Sequence, residues 1–487
     1  RDKLVTGVQT CALPICYTLL AAAVGLVSAP STAFAITPGP VSASQSTLVA
    51  TPTTLTASNG ASAATITVTA RDALGNAIAD APVNFAATGT GNTLSPATTT
   101  TSASGEATAT FSATVAESKT ISATVSGVTV AQTATVTVAP GSASQLAFTV
   151  PPSTTTAGVV ISAPVQVTAQ DAFGNILPGF TGSVTVSIGT NPGGGTLAGT
   201  RQVAAVAGVA TFTTLSIDKS GTGYTLLAAA AGLVSGASTA FAITPGPVSA
   251  SQSTLVATPT TLTASNGASA ATITVTARDA LGNAIADAPV NFAATGTGNT
   301  LSPATTTTSA SGEATATFSA TVAESKTISA TVNGVAVTQT ATVTVAPTGA
   351  SQLVLTGQPS SSGAGAIITP AVEVSARDPF NNPVPSFSGN VTVAIGTNPG
   401  AGTLSGTTTV AAVAGVATFS NLSIDKSGVG YTLQATSGTL TAGTSTAFTI
   451  TPVSPRSSSL RSRPRTPRRA RTSRLPCKLR PWTRWAT

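Results

Sequence analysis

Aspartate and asparagine residues recur in this chain at one fixed spacing. The string Asp-Ala-Leu-Gly-Asn occupies residues 72–76 and 279–283, and related Asp/Asn pairs lie at 171–175 and 378–382. Carboxylate and amide oxygens are ligands that Ca²⁺ accepts, so calcium binding is one chemistry that these residues could support. The residues that would contribute oxygens are Asp72, Asn76 and Asp80 in one copy and Asp279, Asn283 and Asp287 in the other.

A hairpin turn is the simpler interpretation of this spacing. In such a turn the Asp and Asn side chains bond to nearby backbone, and the glycine adopts a positive φ. A calcium ion takes about six or more oxygen ligands, whereas each loop offers one or two carboxylates. We therefore predict a structural turn and no bound cofactor. The alternative is Ca²⁺ held where carboxylates of neighbouring modules converge.

The residues that commonly perform catalysis are scarce. The chain has no histidine, and its cysteines, Cys11, Cys16 and Cys477, all lie near the two ends. The commonest general base and the thiol nucleophile are therefore missing from residues 17–452. Carboxylate pairs for glycoside hydrolysis exist formally, but the acids lie mostly in turns present in both repeats. The glycine-rich stretch 190–195 lacks the Lys-Ser/Thr pair of a phosphate-binding loop. We predict that the chain is not an enzyme.

Two tyrosines in the body of the chain follow glycine-rich turns and begin strands. For Tyr224 and Tyr431 we predict a structural role in which the hydroxyl bonds to nearby backbone, as in a tyrosine corner. Stacking against a ligand is the alternative.

The chain is a tandem repeat with a period of 207 residues, the spacing of Tyr17, Tyr224 and Tyr431. A period of this size fits two domains of about 100 residues each. The expected units are the end of a B module at 17–40, module A1 at 41–140, module B1 at 141–247, module A2 at 248–347 and module B2 at 348–452. A1 and A2 differ at Ser126/Asn333, Thr129/Ala336 and Ala131/Thr338.

Residues 17–40 imitate a secretory signal, with an apolar run before Ala33 and Ala35. Residues 224–242 repeat that segment almost letter for letter in mid-chain, where no cleavage site belongs. We therefore predict that 17–40 is the last strand pair of a module whose beginning is missing.

Both ends of the chain differ from its body. Residues 1–16 resemble a translated sequencing adapter, so we interpret them as an artefact. Residues 453–487 hold 11 of the 21 lysines and arginines. When the reading frame is shifted by one base, the codons for Trp482-Thr483 contain an Asp codon and those for Trp485-Ala486 contain a Gly codon. Both residues agree with a further copy of Asp-Ala-Leu-Gly-Asn in the shifted frame. We predict that 453–487 is an out-of-frame, disordered tail.

The charge of the chain depends on these ends. Without them, eight basic residues oppose 13 acidic ones, and the net charge is −5. This balance gives no reason to expect a nucleic-acid partner. No apolar run approaches the roughly 18 residues of a membrane span.

Alternation of threonine with aliphatic residues predicts the elements that position the turns. Ile66, Val68 and Ala70 share one face of a strand, and Thr65, Thr67 and Thr69 share the other. About seven such strands in 100 residues predict a sandwich of two sheets. We therefore predict an all-β chain of tandem immunoglobulin-like sandwiches, arranged as an elongated and monomeric rod.

Several strings extend this pattern to a family resemblance. Module A carries Thr-Ile-Thr-Val-Thr-Ala-Arg-Asp-Ala-Leu-Gly-Asn at 65–76, Ala-Pro-Val-Asn-Phe at 81–85 and Gly-Glu-Ala-Thr-Ala-Thr-Phe at 105–111. These strings resemble the bacterial Ig-like domain 1 of invasin- and intimin-type proteins. Module B, with Gly-Thr-Asn-Pro-Gly at 189–193 and Ile-Asp-Lys-Ser-Gly-Thr-Gly-Tyr at 217–224, is similar to Ig-like repeats of large bacterial surface proteins.

The resemblance implies an extracellular stalk on a bacterial surface that projects a terminal module. Surface glycans or host and neighbour-cell proteins would then be bound by modules outside this chain. Two alternatives remain open. The Thr-rich faces or loops could themselves bind carbohydrate or a host protein, or the repeats could be spacers of a secreted hydrolase.

Overall fold

The computed structural model describes residues 16–453, and every regular element in that range is a β-strand. The 48 strands are β1 to β48 in chain order. The prediction of an all-β chain of sandwiches is confirmed. The segments interpreted as an artefact, 1–16, and as an out-of-frame tail, 453–487, lie outside the described range except for Cys16 and Val453. Within residues 16–453, no helix is long and apolar enough to cross a membrane.

Module A1 is a sandwich of two sheets. Its strands are β5 Thr47–Thr51, β6 Thr54–Thr56, β7 Ala64–Thr69, β8 Pro82–Ala87, β9 Asn92–Ser95, β10 Thr98–Thr100, β11 Glu106–Ala113, β12 Ser118–Val125, β13 Val128–Thr129 and β14 Ala134–Ala139. One sheet has the order β5-β7-β11-β9, and the other has the order β10-β8-β12-β14-β6 with β13 paired to β12. The β14–β6 pair is parallel, whereas the remaining pairs are antiparallel.

Module A2 repeats this arrangement strand for strand. Its strands are β27 Thr254–Thr258, β28 Thr261–Thr263, β29 Ala271–Thr276, β30 Pro289–Ala294, β31 Asn299–Ser302, β32 Thr305–Thr307, β33 Glu313–Ala320, β34 Ser325–Val332, β35 Val335–Ala336 and β36 Ala341–Ala346. The sheet orders are β27-β29-β33-β31 and β28-β36-β34-β30-β32, with β35 paired to β34.

The core of each A module follows from the two-residue period of a strand. Alternate side chains point to opposite faces, so the aliphatic set of β7 is buried and its threonines face outward. The largest members of the A1 core are Leu48, Leu55, Ile66, Phe85, Phe111 and Ile121. Threonine suits the outer face, because its β-branched side chain favours strands while its hydroxyl remains hydrated.

Modules B1 and B2 divide their strands among four small sheets each. The strands of B1 are β15 Gln145–Val150, β16 Thr155–Thr156, β17 Val165–Gln170, β18 Ser183–Ile188, β19 Leu197–Ala198, β20 Gln202–Ala204, β21 Val209–Phe212, β22 Ser216–Ile217, β23 Gly221–Tyr224, β24 Leu226–Ala229, β25 Gly236–Ala237 and β26 Phe241–Thr244. They form the sheets β15-β17-β21, β16-β26-β23, β20-β18-β24-β25 and β19-β22.

The same four sheets recur in B2. Its strands are β37 Gln352–Gly357, β38 Ser362–Gly363, β39 Val372–Arg377, β40 Asn390–Ile395, β41 Leu404–Ser405, β42 Thr409–Ala411, β43 Val416–Phe419, β44 Ser423–Ile424, β45 Gly428–Tyr431, β46 Leu433–Thr436, β47 Gly443–Thr444 and β48 Phe448–Thr451. Each of the four modules encloses a separate hydrophobic cluster.

Residues 16–40 form two short strand pairs, and their side chains are exposed. The strands are β1 Cys16–Tyr17, β2 Leu20–Ala21, β3 Ala29–Pro30 and β4 Phe34–Ala35. Tyr17 lies opposite Phe34, the same pairing that Tyr224 makes with Phe241 in B1. The segment therefore reproduces the last strand pairing of a B module.

Candidate functional site

The Asp/Asn spacing builds a closed turn. In A1 the Oδ1 atom of Asp72 accepts hydrogen bonds from the backbone N–H of Leu74 at 2.9 Å and of Asn76 at 2.8 Å. Gly75 donates its N–H to the Asp72 carbonyl at 3.0 Å, and its φ of 87° is the positive value that a glycine adopts without strain. One carboxylate oxygen thus stabilises the turn through hydrogen bonds to its own backbone.

The second carboxylate oxygen holds the linker that precedes each module. Oδ2 of Asp72 accepts from the N–H of Gly39 and from Nδ2 of Asn76, both at 2.9 Å. The same backbone contact recurs for Gly141 to Asp171 at 2.9 Å, Gly246 to Asp279 at 2.8 Å and Thr348 to Asp378 at 3.1 Å. The aspartate therefore attaches the incoming chain to its own module.

Hydrogen bonds to the ionised form stabilise these buried carboxylates. The bonds from Asn76 and then Gly39 lower the pKa of Asp72 from its usual 3.8 to about 2. For Asp171, Asp279 and Asp378, burial raises the pKa, but the asparagine and backbone bonds outweigh it and the net shift is downward. N–H donors on both oxygens form an environment that stabilises an anion.

The asparagine of the turn crosses the boundary between modules. Nδ2 of Asn175 in B1 donates to the carbonyl of Thr114 in A1 at 2.7 Å. Its Oδ1 accepts from the N–H of Ala116 at 2.8 Å. One side-chain amide thus pairs with a carbonyl and with an N–H two residues later.

The other two boundaries use the same pattern. Asn283 of A2 donates to the Asp218 carbonyl and accepts from Ser220 N–H, each at 3.0 Å. At the A2–B2 boundary, Asn382 donates to the Thr321 carbonyl at 2.8 Å and accepts from Ala323 N–H at 2.9 Å. We call loops 114–116, 218–220 and 321–323 the receiving loops.

A buried lysine lies close to the receiving loop of each A module. The side chain of Lys119 is fully buried, and its Nζ donates to the Thr90 carbonyl at 2.6 Å. It also forms an ion pair with Glu117, which directly follows the receiving loop. The hydrogen bond from Lys119 lowers the pKa of the Glu117 carboxyl. Lys326 makes the equivalent contacts with Thr297 and Glu324 in A2.

In the B modules a tyrosine has the corresponding position. Tyr224 is fully buried, and its hydroxyl donates to the Lys219 carbonyl at 2.9 Å, in the middle of the receiving loop. Tyr431 donates to the Lys426 carbonyl at the same distance. Burial raises the pKa of Tyr224. The phenol therefore remains a hydrogen-bond donor at neutral pH.

The remaining calcium candidates, Asp80 and Asp287, lie on exposed loops with positive φ of 52° and 55°. Asp80 donates its backbone N–H to the Thr101 carbonyl at 2.9 Å. Over residues 16–453, no three side chains of His, Cys, Asp or Glu gather into a group that could hold a metal ion.

Sequence reasoning missed two features of this site. The contacts of the asparagines across the boundaries depend on how the modules pack, so no local pattern reveals them. The buried lysine was detectable, because Lys119 shares an inward strand face with Ile121, Ala123 and Val125. A lysine on an apolar face is rarely buried without a partner, and this position therefore called for one.

The fold and the boundary turns define a chain of tandem Ig-like sandwich modules. Residues 45–139 and 252–346 match the family described as bacterial Ig-like domain (group 1). These two matches cover nearly all of A1 and A2, and the resemblance seen in their motifs is confirmed. No curated protein matches the chain.

Solved structures that are similar to this chain include adhesins. FdeC, an Escherichia coli adhesin, is 22% identical over 64% of this chain and 100% of that chain, with a TM-score of 0.36. Invasin, a bacterial integrin-binding protein, is 17% identical over 84% and 79%, with a TM-score of 0.36. InvD of Yersinia pseudotuberculosis is 23% identical over 62% and 96%, with a TM-score of 0.30.

Proposed function

We propose that the chain is a structural stalk of an adhesin-like protein on a bacterial surface or in secreted form. The observation that carries this proposal is the joint at each of the three module boundaries, where one asparagine makes two backbone hydrogen bonds to the preceding module. A series of similar joints between sandwiches would keep the two ends of the chain far apart.

The linkers add to the stiffness of the joints. Only residues 140–144 separate the last strand of A1 from the first strand of B1, and the last residues of B1, 245–247, read Pro-Gly-Pro. Proline restricts the backbone, and the aspartate bond to Gly141 or Gly246 fixes the remaining freedom. Bending at a boundary would therefore break hydrogen bonds on both sides of the linker.

We infer that these joints form without calcium. The two carboxylate oxygens of Asp279 together accept four N–H bonds, and the atoms that bridge to B1 belong to the neutral amide of Asn283. A cation would have to displace those donors. The polar groups of the turns are thus engaged in structure, which favours a role without catalysis.

In this role, recognition of surface glycans or host proteins belongs to other modules of the same protein. The chain itself is expected to be a monomer outside the cell. A seven-residue strand spans about 23 Å, so a sandwich with its loops adds roughly 35–40 Å and four modules reach on the order of 150 Å.

Small-angle scattering tests the stalk. We expect an elongated particle whose maximum dimension is unchanged by a chelator. The triple variant Asn175→Ala, Asn283→Ala and Asn382→Ala should give a broader, more flexible distance distribution. Asn76→Ala is the matched control, because Asn76 has the equivalent position in the turn of A1 but makes no contact across a module boundary. A compact particle, or glycan or cell binding by this chain alone, would contradict the proposal.

A further inference from the structure

The loop at residues 425–427 of B2 copies the receiving loop of B1. Both read Asp-Lys-Ser between an isoleucine and a glycine. Thr403 donates its N–H to Oδ1 of Asp425 at 2.6 Å, as Thr196 does to Asp218. The tyrosine hydroxyl supports both loops at 2.9 Å. The shape of the receiving loop is therefore set by its own module.

The two copies differ in what covers them. Residues 218–220 are half-buried beneath A2, whereas 425–427 are exposed. A Cβ added to Gly158 of B1 would lie 2.9 Å from Cδ1 of Leu281 in A2. Gly365, its counterpart in B2, has nothing within 4 Å of that position. Among residues 16–453, none covers the surface of B2 that corresponds to the one B1 uses to hold A2.

The covered copy shows which chemistry the loop recognises. The Asp218 carbonyl needs a donor and the Ser220 N–H needs an acceptor, and Asn283 supplies both from one amide. Lys219 adds a bond from Nζ to the Leu281 carbonyl at 2.9 Å. Aspartate in place of the asparagine would lack the donor, and lysine would lack the acceptor.

We propose that loop 425–427 is a docking site for a further Ig-like module that presents an asparagine from an Asp-x-x-Gly-Asn turn. The inference rests on the proposed stalk function and extends it, because it names the surface and the partner by which the stalk continues. Within this chain, turns 72–76, 171–175 and 279–283 carry the required residues, and the first and last of these belong to A modules, the type that docks on B1.

Hydrogen exchange in extended chains tests the docking site. In one chain a copy of residues 246–347 follows Pro452 in place of 453–487, and in a second chain a copy of residues 39–140 does so. The amide of Ser427 should exchange about tenfold more slowly than in the parent chain and approach the rate of Ser220, since a bond worth roughly 1–1.5 kcal/mol protects it. Peptides around the two serines differ at Thr222 and Val429 and are distinguishable by mass.

The matched control replaces the asparagine of the appended turn with alanine, which should restore fast exchange at Ser427. Slow exchange in either extended chain, lost in the control, supports the proposal. Unchanged exchange at Ser427 in both chains overturns it. Because Ser220 is measured in the same molecules, failure at Ser427 with protection at Ser220 rejects the docking site alone. Loss of protection at both would reject the stalk joint as well.

Discussion

Turns 72–76 and 279–283 have the same five residues and the same internal hydrogen bonds, but different neighbours. Leu74 is 89% exposed and Asn76 is exposed, whereas Leu281 is 43% exposed and Asn283 only 6%. Asp72 and Asp279 are both buried, with exposed fractions of 3% and 1%. Docking of B1 therefore changes the outer side of the turn and leaves its interior as it was.

This comparison shows that the turn has the same internal hydrogen bonds whether its asparagine is exposed or covered by a neighbour. The sequence differences between A1 and A2 lie at 126–131 and 333–338, outside the turns, so they do not cause the difference in exposure. Because Asp72 already fixes the asparagine and the linker, little side-chain freedom remains to be lost when a module docks. The asparagine bonds then add to the other contacts across the joint, such as the bond from Lys219 to the Leu281 carbonyl.

The largest expected effect comes from removing the carboxylate that both turns share. Asp279→Ala leaves four N–H groups without an acceptor, so the melting temperature of A2 should fall by roughly 10 °C. Asp72→Ala should lower that of A1 in the same way, because its four bonds are the same. Differential scanning calorimetry should show one module melting early in each variant. A large effect in A2 with none in A1 would mean that docking, and not the turn, provides the stability.

Acid should act on the same carboxylates, with a smaller effect because the protonated side chain keeps its shape. The pKa of Asp72 is lowered from 3.8 to about 2. Its stabilisation is therefore complete above about pH 4 and is lost as the pH falls through about 2. Thermal unfolding followed by circular dichroism from pH 5 to pH 2 should show this loss. Asp72→Asn should remove the contribution of A1, and a constant melting temperature over that range would exclude the mechanism.

Asn283→Ala and Asn76→Ala separate docking from turn formation. Asn283→Ala removes both boundary bonds, so the Ser220 amide should exchange about tenfold faster. Asn76→Ala should leave Ser220 unchanged, because it removes a bond only within its own turn. Peptide-resolved hydrogen exchange measures both. Equal exchange rates of the Ser220 amide in the two variants would show that Asn283 does not hold the joint.

The smallest effect is expected from the tyrosine hydroxyls. Tyr224→Phe removes the bond to the Lys219 carbonyl and should cost about 1 kcal/mol, with a few-fold faster exchange at Ser220. Tyr431→Phe should destabilise B2 to a similar extent and leave Ser220 unaffected. Chemical denaturation measures the stability of the two variants, and hydrogen exchange measures the protection of Ser220 in each. Unchanged Ser220 exchange in Tyr224→Phe would restrict the tyrosine to a role in its own core.

The sequence allowed the strands and the turn to be predicted, since both depend on neighbours close in the chain. Alternation along β7 decides which residues are buried, and Asp72 reaches Leu74 and Asn76 within four residues. The bond from Asn175 to Thr114 spans 61 residues and two modules, so it follows from packing that no local pattern specifies. The division of the B modules into four small sheets was likewise beyond a prediction based on strand periodicity.

The receiving loops have a consequence for how such a chain can grow. A and B modules have different buried residues close to their receiving loops, a lysine and a tyrosine, yet both loops present a carbonyl and an N–H two positions apart. Both module types also carry the asparagine that fits between them. Duplication of a gene segment that encodes 207 residues would therefore create a complete new junction without any compensating mutation. The length of the protein could then change in single genetic steps.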